Sequence, residues 1–127
     1  MTSLKEFLLG RDITRIEEVT IIEGQEPFRI KPMTNKELED INEQCTKMIN
    51  GKVKFNARKQ SLLFIINNCV EPNFRDAELL KQLKLTEPME AVEKLLKAGE
   101  IATLVKNISE ISGFDVGINK KIELAKN

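Results

Sequence analysis

Histidine, tryptophan and tyrosine are all absent from this chain of 127 residues. Without an imidazole, Ser-His and Cys-His nucleophiles and any His-containing metal site are excluded, which weighs against an enzyme. No charge sign dominates either. The 20 Lys and Arg against 20 Asp and Glu leave no excess to hold nucleic acid or an anionic membrane surface. Long apolar runs are missing, since none approaches the ~20 residues that span a bilayer. The opening MTSLKEFLLGRD lacks the apolar length and the small-residue cleavage site of a secretory signal. Cysteine is scarce. Cys45 and Cys69 each fall on what reads as an apolar helical face, which suits small buried hydrophobes in a reducing cytosol; a disulfide between them is the alternative.

What is present points to a globular fold, with 41% hydrophobic and 31% charged residues. The length suits one compact domain with a real core. Ser3 and Glu6 have capping-box spacing, predicting a short helix over 3–9 that Gly10 ends. In 17-EEVTIIEG-24 and 27-PFRIKPM-33 the period changes to two, predicting a β-hairpin whose Pro27 and Pro32 confine the second strand to an edge or to its ends. One hairpin alone is marginal in water, so it must pack on helices or join another sheet. Thr34 and Glu37 form a second capping box, and Leu38, Ile41, Cys45, Met48 and Ile49 follow one helical stripe that Asn50-Gly51 stops. After a loop GKVKFN, the segment 57–70 carries five consecutive apolar residues, Leu62 to Ile66. A helix apolar nearly all round is a central one.

Glu71-Pro72 is expected to end that helix, and Asn73 or Asp76 can cap the next, with Leu79, Leu80 and Leu83 inward. Pro88 opens another helix with the stripe Ala91, Val92, Leu95 and Leu96. The last strong helix carries Ile101, Leu104, Val105, Ile108 and Ile111, and Gly113 is its stop. The expected fold class is therefore mainly α with a small N-terminal β-hairpin (α+β), a compact bundle of short helices. Residues 1–127 read as a single domain, with a helix and hairpin in 1–33, a helical core in 34–113 and a mobile tail in 114–127.

Three motifs invite sharper readings. Gly99 sits where a helix-turn-helix would turn, but the second helix offers Lys106 against Glu100 and Glu110, a poor reader of a polyanion. A corner that ends one helix and sets Glu100 at the positive start of the next fits better. The run 47–60 holds Lys47, Lys52, Lys54, Arg58 and Lys59 with no acid, and Phe55 within it has the look of a base-stacking platform. One aromatic is thin support, and the run can instead answer the acidic Glu17, Glu18, Glu23 and Glu26. The carboxylate pairs Glu17-Glu18 and Glu39-Asp40 lie on polar faces with no histidine and no glycine-rich phosphate loop, so they read as solvated surface.

At residues 71–83 and 95–115 the chain resembles the tail assembly chaperones of long-tailed bacteriophages and PBSX-like prophages. The pieces that carry the likeness are Pro72-Asn73-Phe74, Asp76-Ala77-Glu78-Leu79, Leu95-Leu96, Gly99-Glu100, Leu104 and the ending from Glu110 to Asp115. SLKEFLL, Cys45-Thr46-Lys47 and the final Ala125-Lys126-Asn127 also fit. Ile101 stands where an aromatic often follows the Gly-Glu pair, and Leu85-Thr86-Glu87-Pro88 replaces a glycine-containing turn. The resemblance implies a non-enzymatic protein of the bacterial host cytoplasm, without cofactor or metal. It implies binding to the tape measure protein, help in placing tail tube protein around it, and absence from the finished particle. In many such phages a frameshift near the gene's end makes a longer product.

Phe114, Ile118 and Ile122 follow a spacing of four without an obvious core role, and are the expected partner contacts. The proposed mechanism is helix-in-groove shielding, with apolar grooves between short helices covering amphipathic client helices. Two rival readings are a structural tail component of the particle and a small nucleic-acid-binding regulator acting through Lys47–Lys59.

Overall fold

A computed structural model describes residues 3–113. Its organising element is α3 (Ala57–Asn68), which packs against α2 (Asn35–Cys45), α5 (Pro88–Leu95) and α6 (Ala98–Ile111). The apolar run dictates this. Leu62, Leu63, Phe64, Ile65 and Ile66 are all buried, and five successive positions span every face of a helix, so neighbours must surround it. Asn56 opens α3 by accepting the Lys59 N–H at 3.0 Å.

The other helices begin where their caps predict. Thr34 Oγ1 accepts the Glu37 N–H at 3.2 Å while Glu37 accepts the Thr34 N–H at 3.4 Å, a reciprocal capping box for α2. Asp76, rather than Asn73, caps α4 (Ala77–Leu83); Asn73 accepts the Arg75 N–H instead. Leu79, Leu80 and Leu83 are partly buried against the core. Pro88 stands at the first position of α5. Gly113, at φ +86°, follows α6 and takes the left-handed backbone that a side chain would resist.

The chain does turn a corner before α6, but not at Gly99. Helix α5 ends at Leu95, the extended Leu96 and Lys97 make the corner, and Gly99 lies in the first turn of α6. Glu100 accepts the Lys97 N–H at 2.8 Å, so a carboxylate sits at the positive helix end as expected. The shift moves Leu96 into the core and leaves Leu95 exposed, contrary to the stripe read for it.

The N-terminal strands are β1 (Glu17–Val19) and β2 (Phe28–Ile30), paired antiparallel with Glu17 opposite Ile30 and Val19 opposite Phe28. They do not stand alone. The strand β5 (Cys69–Glu71) pairs antiparallel with the other side of β2, giving the order β1-β2-β5. Thus β2 is the central strand, with Phe28 and Ile30 buried and Arg29 outward, and the prolines only bracket it. Cys69 accordingly lies on a strand, because helix α3 stops at Asn68. The sheet is fastened to that helix end twice: Lys31 N–H donates to the Asn68 carbonyl at 2.9 Å, and Asn68 Nδ2 donates to the Lys31 carbonyl at 3.2 Å. Further along, Met33 N–H donates to Ser112 Oγ at 2.8 Å, joining the start of α2 to the end of α6.

Buried side chains from α2, α3, α5, α6, the sheet and Phe74 form one apolar cluster among the described residues.

Candidate partner-binding surface

Two segments keep their apolar side chains out of that cluster. The first is α1 (Leu4–Gly10), started as predicted by Ser3 Oγ accepting the Glu6 N–H at 3.2 Å. Not one of its residues is buried. Leu4 and Leu9 are 73% and 78% exposed, Phe7 and Leu8 are more than half exposed, and Ile13 and Ile16 continue the apolar surface beyond it. Local bonds hold the connection: Asp12 accepts both the N–H and the hydroxyl of Thr14, which holds its carboxyl below the usual range. Arg11 lies over the Phe7 ring at 5.9 Å, within reach for a weak cation–π contact.

The second segment corrects the sequence reading. Helix α2 ends at Cys45, where Thr46 leaves the helix and its Oγ1 donates back to the Asn42 carbonyl at 2.7 Å. The chain then forms a two-stranded ribbon, β3 (Thr46–Ile49) and β4 (Lys52–Phe55). Met48 and Ile49 are therefore strand residues and not part of the helical stripe, and GKVKFN is half of a hairpin rather than a loop. Asn50 and Gly51 at the tip have φ +52° and +76°, as a type I′ hairpin turn demands. At the base, Asn56 N–H donates to the Cys45 carbonyl at 2.8 Å, tying the end of α2 to the start of α3.

Register sorts the ribbon into two faces. Thr46 stands opposite Phe55 and Met48 opposite Val53; Lys47 stands opposite Lys54 and Ile49 opposite Lys52. One face is thus apolar and the other basic, because facing pairs alternate sides. Every residue of both strands is exposed, with Met48 at 70% and Val53 at 64%. A groove of about 500 Å³ beside the ribbon is lined by Cys45, Ile49, Lys54, Arg58 and Met89, among others.

The basic run is not answered by the N-terminal acids. Arg58 makes a bidentate pair with Glu93 of α5, and Lys59 Nζ donates to the Gln44 carbonyl at 3.2 Å. Lys47, Lys52 and Lys54 form no ion pair among the described residues. The paired carboxylates Glu17-Glu18 and Glu39-Asp40 are exposed. Both thiols are free and buried. Burial raises the Cys45 thiol, opposed by the Lys59 charge, while burial and the Glu71 charge push Cys69 up to about 12. Phe114, Ile118 and Ile122 lie outside the described residues.

The class these features define is a mainly helical α+β protein with apolar groups on α1 and on the ribbon that its own core leaves uncovered. The chain belongs to the phage XkdN-like tail assembly chaperone family, which it matches over residues 4–126. It is similar to the phage-like element PBSX protein XkdN of Bacillus subtilis strain 168, at 28% identity covering 80% of this chain and 72% of the relative. It is similar also to protein YqbN of the same strain, at 29% identity with the same coverage. The fold agrees with the crystal structure of the protein YqbN at a TM-score of 0.72, 25% identity, and 91% and 99% of the two chains. Among the described residues no helix is long and apolar enough to cross a membrane.

Proposed function

We propose that this protein binds the tape measure protein of a phage or prophage tail and assists tail tube assembly, in the bacterial host cytoplasm and without catalysing a reaction. Family membership over nearly the whole chain supports the assembly role. The observation that carries the binding role is the exposure of Leu4, Phe7, Leu8 and Leu9 on α1. A helix of seven residues is too short to be stable by itself in water, and contiguous exposed apolar groups mark surfaces that another protein covers. In this reading the client-binding surface is α1 and the ribbon, with Phe114, Ile118 and Ile122, which lie outside the described residues, as further contacts.

Co-expression with a tagged tape measure protein tests this. The full chain is expected to co-purify with it and to be missing from purified tails by mass spectrometry. Phe7→Asp with Leu9→Asp should abolish co-purification while leaving helical content intact. Phe114→Ala with Ile118→Asp should weaken it. A fixed stoichiometry in finished tails would instead make the protein a structural component.

A further inference from the structure

The ribbon's chemistry specifies its partner more narrowly than exposure alone. It has two strands only, so among the described residues the outer edge of each is without a strand partner. Lys47 stands directly opposite Lys54, a placement that destabilises a hairpin, in an element already marginal in water. Its apolar face carries Met48, Val53 and Phe55, and its basic face carries Lys47, Lys52 and Lys54 beside Ile49.

We propose that the ribbon docks an extended segment of a partner protein, in which apolar residues alternate with Asp or Glu, added as a third strand. An added strand would satisfy a free row of backbone donors and acceptors. Its side chains alternate faces with period two, so its apolar residues would continue the Met48–Val53–Phe55 face and its acids would meet the lysines. A helix matches neither the period nor the open edge. Acids suit the site because these lysines form no ion pair among the described residues, whereas Arg58 already has Glu93.

A second copy of the chain does not supply such a strand from its described residues. The acidic strand β1 carries Glu17 and Glu18 side by side, so they fall on opposite faces. Nucleic acid fits less well. Phe55 is the one aromatic in the ribbon's sequence Thr46–Phe55, whereas single-strand binding stacks successive bases on several.

This inference rests on reading the chain as a protein-binding module, but its test needs no tail protein. The full chain, isotope-labelled, is titrated with a peptide alternating Val and Glu, with its Val–Lys counterpart, and with a short DNA duplex. The Val–Glu peptide is expected to shift the backbone amides of Thr46–Phe55, and its affinity to fall with added salt. Lys52→Glu with Lys54→Glu should weaken it about tenfold, the size expected for two exposed pairs turned repulsive, and should let the Val–Lys peptide bind. Lys54→Glu also removes the clash with Lys47, so the variant ribbon should be better ordered while binding worse, which separates recognition from folding. The proposal is overturned if no ribbon amide moves, if both peptides bind the native protein equally, or if only the duplex perturbs the ribbon. Loss of tape measure co-purification with intact peptide binding would overturn the functional reading and leave this one standing.

Discussion

Replacing Asn68 by Asp should convert a pH-insensitive joint into a titrating one. Asn68 is fully buried where α3 passes into β5, and its Nδ2 donates to the Lys31 carbonyl at 3.2 Å. Its Oδ1 accepts no hydrogen bond among the described residues, so the amide acts through its donor. In the Asp variant an ionised carboxylate would face the Lys31 carbonyl oxygen in a buried site. Burial of this kind raises a carboxyl pKa by about 3 units, from ~3.9 in the unfolded chain. Below the unfolded pKa both states hold the proton, the acid O–H replaces the donor, and the variant should lie within ~1 kcal/mol of the parent. As pH rises further the unfolded chain loses its proton first, so the folded state is penalised by ~1.4 kcal/mol per pH unit. The deficit should level near 4 kcal/mol at about pH 7, three units times that slope. Urea unfolding of parent and variant, followed by circular dichroism from about pH 4 to about pH 8, measures the difference directly. Asn68→Leu is the control, costing about 1–3 kcal/mol for an unpartnered carbonyl at every pH. A deficit for the Asp variant that did not change with pH would refute the assignment of Asn68 as a buried clamp.

Ile65→Ala, at a fully buried position of the central helix, should cost about 2–5 kcal/mol in denaturant unfolding; a loss below ~1 kcal/mol would mean that α3 is not enclosed. Cys45 and Cys69, buried and with their thiols raised, should react with a thiol reagent only as fast as the protein opens, and quickly once it is unfolded.

The sequence displayed the elements whose signals are local. Capping by Ser3 and Thr34, the stop at Gly113 and the all-round apolar run of α3 each depend on residues within a few positions of one another. The ribbon is disguised in the sequence for an equally local reason. Cys45, Met48 and Ile49 fall three and four apart and so mimic a continuing helix, although Asn50-Gly51 between alternating residues is a hairpin signal. The central place of β2 was illegible because its second neighbour, β5, lies about 40 residues later and is three residues long. The end of α4 gave no sign either. Lys84, not glycine, takes the left-handed cap at φ +60°, against its own preference. Of the candidate surface, the sequence displayed a short capped helix at 3–9 and the basic run, but not that the helix stays uncovered or that the run is built as two chemically distinct faces.

The bond between Met33 and Ser112 has a geometric consequence. It brings the start of α2 and the end of α6 together beside a cleft of about 300 Å³ lined by Arg11, Ile13, Asn35 and Ser112. Arg11, just after α1, and Ser112, at the end of α6, therefore border one cleft at the start of α2. The ribbon leaves from the other end of α2, whose 11 residues separate the two by about 16 Å. A short ligand seated at that cleft would leave the ribbon uncovered, so the two surfaces are separate and α2 sets the distance between them.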